Sequence, residues 1–216
     1  HYPEEALGIL THTADGGCTS LRANPLKADA ETLCKLLLES GDAESAAPGV
    51  VPGSVLAKFV GSPADKALFR QGYYHVEGQA SQLAALCLEA KPGETVLDLC
   101  AAPGGKTLLL AEEMQGKGRL LSCDVTESRV QLIAKAVERM GFADCVETLC
   151  NDATKPNPKL PAADRILVDA PCSGLGILAK KPDIRYKSLP KARHDELLAT
   201  QSAILDTAAS MLKPGG

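Results

Sequence analysis

The 216-residue chain holds eight cysteines but no Cys-x-x-Cys pair and no paired cysteine-histidine ligand spacing, so neither a disulfide framework nor a zinc site is indicated. The thiols are expected to be reduced, and no metal is expected. No apolar run approaches the roughly 20 residues that span a bilayer. The first residues, His1-Tyr2-Pro3-Glu4-Glu5, place no basic stretch ahead of an apolar one, so a soluble, cytoplasmic protein without a membrane partner is expected. Two nucleotide signatures are missing as well. The dinucleotide fingerprint Gly-x-Gly-x-x-Gly is absent, and a phosphate-binding loop would need glycine where Cys100 stands, leaving only Gly105-Lys106-Thr107 to match.

The chain is 45% hydrophobic, enough for a packed core, and its net charge of −4 speaks against indiscriminate nucleic-acid binding. The charge is unevenly spread. Between Lys155 and Asp195 there are nine Lys or Arg (among them Lys180, Lys181, Arg185, Lys187, Lys191 and Arg193) against four Asp. A solvated charged face explains most such runs; a phosphate-tracking surface is the sharper alternative.

Residues 1–76 read as a small α+β domain, with strands at 19–23, 55–60 and 67–74 and a helix from Asp29 to Ser40. Asp29 caps that helix, Leu33, Leu36 and Leu37 give it an apolar face, and Gly41 stops it. The Ala-, Pro- and Gly-rich stretch 44–53 reads as a loop. From residue 77 the pattern changes. A helix over 81–89 carries Leu83, Leu86 and Cys87 inward, and strands at 95–99, 119–123, 146–149 and 166–168 then alternate with helices at 107–114 and 128–140, before a long helix over 191–212. Alternation of this kind specifies a parallel, doubly wound, Rossmann-like sheet in residues 77–216.

Open α/β sheets carry their chemistry at the carboxyl ends of the strands, and three such ends are informative here. The loop Cys100-Ala101-Ala102-Pro103-Gly104-Gly105-Lys106-Thr107 lets backbone N–H groups approach a ligand at a helix amino terminus. Asp124, twenty positions beyond Gly104, can accept bonds from ribose hydroxyls, and Asp152 offers a carboxylate to an adenine amine. S-adenosylmethionine fits this set because it needs a ribose acid and an adenine pocket but no pyrophosphate cradle. Turn or helix capping is the plainer account of Asp124 and Asp152. Asp98 has no assigned role, and Arg129 is read as a surface residue. After the apolar run Arg165-Ile166-Leu167-Val168, which reads as a buried strand, come Asp169-Ala170-Pro171-Cys172-Ser173-Gly174, a carboxylate and a thiol emerging together. Cys172 is either a small buried apolar residue or a working thiol.

The 100–107 and 169–174 motifs together closely resemble the Nol/Nop/Sun family of RNA cytosine-C5 methyltransferases. Leu21-Arg22-Ala23-Asn24-Pro25-Leu26-Lys27, Glu77-Gly78-Gln79-Ala80-Ser81-Gln82-Leu83 and Lys181-Pro182-Asp183-Ile184-Arg185-Tyr186 extend the likeness over about 19–216. Within the family the chain is most similar to bacterial enzymes acting on small-subunit ribosomal RNA. The resemblance implies a class I methyltransferase sheet, S-adenosylmethionine held by Cys100 to Lys106 with Asp124, Asp152 and Asp169, and an RNA substrate. It implies that a thiolate adds to cytosine C6, that Asp169 contacts the ring, and that the Pro-Cys thiol, Cys172, assists product release. The nucleophile of the family comes from a Thr-Cys pair after the next strand, and these 216 residues contain no Thr-Cys. The chain is therefore expected to be an incomplete sheet lacking its last strands, able to bind cofactor but turning over poorly. The alternative is a non-catalytic RNA-binding or scaffold fragment with a vestigial pocket.

Overall fold

The computed structural model describes residues 17–177, 181–186 and 190–216; Lys180 and Lys187 of the basic segment lie outside them. Two four-stranded sheets make up the fold. The first is antiparallel, in the order β2-β3-β1-β4, from β1 (Thr19–Ala23), β2 (Ala43–Pro48), β3 (Ser54–Phe59) and β4 (Tyr74–Val76). Helix α1 (Ala30–Glu39) packs on it through Leu33, Cys34 and Leu37, and Asp29 caps it by accepting the Thr32 N–H at 2.8 Å. Cys34, not Leu36, completes the buried stripe.

Three local expectations are corrected here. Residues 44–53 do not form a loop throughout: β2 pairs with β3, with a register shift between Ala43 and Ser45, and its small side chains and terminal Pro48 suit an edge strand. Residues 67–74 are not a strand. A short helix α2 (Ala67–Arg70) ends at Gly72, whose φ of 74° and close approach to the Arg139 carbonyl turn the chain into β4. Helix α3 (Gln79–Leu86) buries Gln82 and Ala85 while Leu83 and Cys87 face outward. Gln82 wins the interior because its amide donates to the Leu21 carbonyl at 3.1 Å and the Glu77 carbonyl at 2.9 Å.

The second sheet is parallel and ordered β7-β6-β5-β8, from β5 (Thr95–Asp98), β6 (Arg119–Asp124), β7 (Val146–Cys150) and β8 (Arg165–Leu167). Helix α4 (Gly105–Glu113) connects β5 to β6, and α5 (Glu127–Met140) connects β6 to β7. Val96 and Leu120 pack with Leu108, Ile133 and Met140 on one face; Leu97 and Leu121 pack with Ile204 and Ala208 of α6 (Lys191–Met211) on the other. Burial on both faces explains why Val96-Leu97 and Leu120-Leu121 are adjacent apolar pairs instead of alternating with polar residues. β8 departs from the expectation of a buried strand. It forms the sheet's edge and is only partly covered, with Arg165 tied to Glu94 at 2.8 Å and to the Leu88 carbonyl at 2.6 Å.

Polar bonds join the two sheets. Asn24 is fully buried and donates to the Gly72 carbonyl at 2.7 Å and to the Met140 carbonyl at 2.9 Å. Arg22 meets Glu112 at 2.8 Å with both side chains nearly dry. Burial pushes the Glu112 carboxyl up to about 7 even against the Arg22 guanidinium. Arg22→Ala strands that acid without a counter-charge and should cost about 3 kcal/mol. The folded-state pKa lies above the unfolded one, so the stability Glu112 contributes is present at low pH and lost as pH rises. The penalty should accordingly be larger at pH 8 than at pH 5 in urea denaturation; equal penalties at both would contradict the assignment.

Candidate active site

The 100–107 loop is held from three sides. The Ala101 N–H donates to the Cys123 carbonyl at 2.9 Å, the Gly104 N–H to the Ala101 carbonyl at 2.7 Å, and the Ala102 N–H to Asp124 Oδ2 at 3.0 Å. Gly104 sits at φ 106°, close against Ile133 of α5. At Gly105 a β-carbon would fall 2.9 Å from the Glu77 carboxyl carbon, so the missing side chain leaves room for that carboxyl at the start of α4.

Asp124, at the end of β6, is 4% exposed. Besides the loop N–H, it accepts from the Val125 N–H at 2.8 Å and from Arg129 Nε at 2.6 Å. Arg129 is at the surface, as expected, and also pairs with the ribose-acid candidate. Asp152, after β7, accepts from the Thr154 N–H at 3.1 Å and hydroxyl at 2.6 Å and pairs with Lys155 at 3.1 Å. Those bonds, Thr154 first, hold its carboxyl below the usual range. Its neighbour Asn151 is buried and accepts from Asn157 at 2.8 Å.

Lys106 joins two of the motifs. Its ammonium lies 2.7 Å from Asp169 Oδ2 and 2.6 Å from Ser81 Oγ, so the loop, α3 and the end of β8 converge on one charge. Ser81 stands in the sequence at a helix start and within the 77–83 motif, with no site role given to it. Asp98 is 1% exposed; its Oδ2 accepts from the Thr107 hydroxyl at 2.8 Å, and its Oδ1 has no partner among the described residues. Burial raises its carboxyl to about 7, opposed by the Thr107 bond and Lys106. His75 and Glu77, also missed in the sequence, form a buried pair with 3.0 Å between Nε2 and Oε2.

A cavity of about 900 Å³ opens over these groups. Asp98, Cys100, Ala101, Ala102, Pro103, Gly105, Lys106 and Asp169 are in its walls; Gly104, Asp124, Asp152 and Cys172 are not. Cys172 is exposed on the loop after β8, where α6 holds the Pro171 carbonyl through Gln201 at 2.7 Å. Cys100 differs, since burial first and Asp124 next push its thiol up to about 11. No group of three metal-ligating side chains occurs among the described residues, and none of their helices is long and apolar enough to cross a membrane.

Asp98 gives a test of the site's electrostatics. Its folded-state pKa lies above the ordinary 3.8, so it favours folding at low pH, and that contribution is lost as pH rises toward 7. Asp98→Asn should flatten the decline in urea midpoint between pH 4 and pH 7. An unchanged decline would show that Asp98 is ionised throughout.

Residues 85–216 match the 16S rRNA methyltransferase RsmB/F family. The chain is 38% identical over 202 residues to the probable ribosomal RNA small subunit methyltransferase B of Bacillus subtilis and 36% identical over 198 residues to that of Synechocystis. Each match covers 91% of this chain and 44% of the relative, so the chain spans less than half the length of these curated relatives. Among solved structures, PH0851 superposes with a TM-score of 0.89 at 34% identity over 99% of this chain and 48% of its own. NSun6 from Pyrococcus horikoshii, solved with SFG, has the same fold, with a TM-score of 0.85 at 19% identity over 99% of this chain and 77% of its own. The chain therefore belongs to the RsmB/F methyltransferase family and carries its Rossmann-like, class I methyltransferase sheet.

Proposed function

We propose that this chain provides the cofactor site and the Pro-Cys loop of an RNA cytosine-C5 methyltransferase that acts on small-subunit ribosomal RNA in the cytoplasm. The ion pair between Lys106 and Asp169 carries the reading, because it couples the Gly-rich loop to the strand end that bears Cys172. In this proposal residues up to 76 form the RNA-facing unit and those from 77 the cofactor-binding unit. The curated relatives named as small-subunit methyltransferases support the substrate.

The donor and acceptor set suits S-adenosylmethionine. Asp98 offers an unpartnered acceptor for an ammonium, the 100–105 backbone and the α4 amino terminus suit a carboxylate, and Asp124 and Asp152 suit the ribose hydroxyls and adenine amine. When bound, that cofactor supplies an electrophilic methyl group for C5 of a cytosine activated by thiol addition at C6. Lys106 occupies Asp169 Oδ2 and so orients the other oxygen for hydrogen bonding to the ring. Cys172, exposed beyond Asp169, acts in release, as proton donor or acceptor when the sulfur–C6 bond breaks. The adding thiol belongs to a Thr-Cys pair that these 216 residues do not contain.

Calorimetric titration with S-adenosylmethionine should show binding, weakened by about tenfold or more in Asp124→Ala, which loses both a ribose acceptor and the loop's anchor. RNA binding without cofactor binding would favour the non-catalytic scaffold, a reading motivated by the missing Thr-Cys. With labelled cofactor and ribosomal RNA the chain should transfer negligible methyl. Multiple turnover would overturn the role given to Cys172 and make it the nucleophile.

A further inference from the structure

The cavity is lined not only by the loop and the acids but also from α5 and from the β4 side, which form a cleft between them. On the α5 side stand Leu132, Lys135 and Arg139, one stripe at helical spacing. This stripe is distinct from the face formed by Val130, Ile133, Val137 and Met140, which fills the core. On the other wall are Phe69, His75 and Val76.

Each group has a definable capacity. Arg139 is committed: its guanidinium donates to the Phe69 carbonyl at 2.8 Å and the Tyr74 carbonyl at 3.0 Å and lies 3.8 Å over the Phe69 ring. It fixes the cleft's floor. Lys135 is exposed and has no hydrogen bond or ion pair among the described residues. Leu132 and Val76 are both about half exposed, an apolar side chain from each wall. His75 is 4% exposed, its Nε2 pairs with Glu77, and its Nδ1 has no partner among the described residues and is closed off from solvent, so the ring serves as a fixed part of the wall.

We infer that this cleft is a subsite for the nucleotide next to the target base in single-stranded RNA, with Lys135 on its phosphate and the base between Leu132 and Val76. The inference rests on the RNA methyltransferase reading above and deepens it. An anion suits Lys135, whereas the cationic cofactor does not, and the acids suited to ribose and adenine lie outside the cavity lining.

Fluorescence anisotropy with a labelled single-stranded RNA of about 12 nucleotides from small-subunit ribosomal RNA tests this. Lys135→Glu should weaken binding by roughly fivefold to tenfold and make the salt dependence shallower by about one phosphate contact. Leu132→Ser should weaken it by about threefold without changing that slope. Lys117→Glu makes the same charge change at the opposite edge of the parallel sheet and should alter binding by less than about twofold. S-adenosylmethionine affinity should stay constant in all three variants. Equal effects of Lys135→Glu and Lys117→Glu would overturn the subsite and leave the RNA reading intact. Cofactor affinity falling with Lys135→Glu would assign the cleft to the cofactor instead. If the unsubstituted chain binds cofactor but no RNA, both the RNA reading of this chain and the subsite fail.

Discussion

A single ammonium allows the acids of this site to sit together. Asp98, Asp169 and Glu77 crowd the carboxyl edge of β5 and β8 and the start of α4, and the charges of Asp169 and Glu77 add to burial in raising the Asp98 carboxyl. Lys106, between Ser81 and Asp169, is the cation placed among them. It lies on the first turn of α4, where a cation is not favoured by the helix dipole, so its place is set by the acids it answers. The arrangement holds Asp169 in place through Lys106, while burial pushes the carboxyl of Asp98, deeper and drier, up to about 7. Two carboxyls of one strand edge thereby acquire different chemistry from their surroundings.

Where local pattern and tertiary contact agree, the fold was legible in the sequence. β5 and β6 are covered on both faces, so Val96-Leu97 and Leu120-Leu121 stand as adjacent apolar pairs, and Gly and Pro punctuate the strands clearly. What could not be read depends on distant partners. Gln82 is inside because Leu21 supplies a carbonyl 61 residues away, and β4 starts late because Gly72 must clear the backbone at Arg139. Neither leaves a local signal. The same division holds at the site: the loop, Asp124 and Asp169 stand in recognisable motifs, but the meeting of Lys106 with Ser81 and Asp169, 25 and 63 residues away, arises only when α3 and the end of β8 are brought alongside the loop.

The cysteines show how burial sorts residues of one chemical type. Cys100 and Cys172 both adjoin proline-containing loops at strand ends, the first read in the sequence as part of the cofactor loop and the second as the thiol at the reaction edge. Burial pushes Cys100 up to about 11 and Cys123 up to about 12, which keeps both protonated and inert near neutral pH. Cys172 stands exposed on its loop, open to solvent. The distinction supports Cys172 as the working thiol of the pair without making it the attacking one.

The cleft between β4 and α5 depends on how firmly the two sheets are joined. Its walls come from both, and every direct bond found between them in this region is polar: Arg22 to Glu112, Asn24 to Met140, and Arg139 to Phe69 and Tyr74. Polar contacts with fixed donor and acceptor directions define one relative placement more sharply than apolar packing, which tolerates sliding. Arg139 belongs to both systems, since the guanidinium that clamps β4 to α5 also forms the cleft's floor over Phe69. The width of the cleft is therefore set by the clamp, and the Leu132 and Val76 walls are held apart by bonds that need no ligand to form. A pre-set gap of this kind lowers the ordering cost of taking a flexible single strand, which is the cost that most limits its binding.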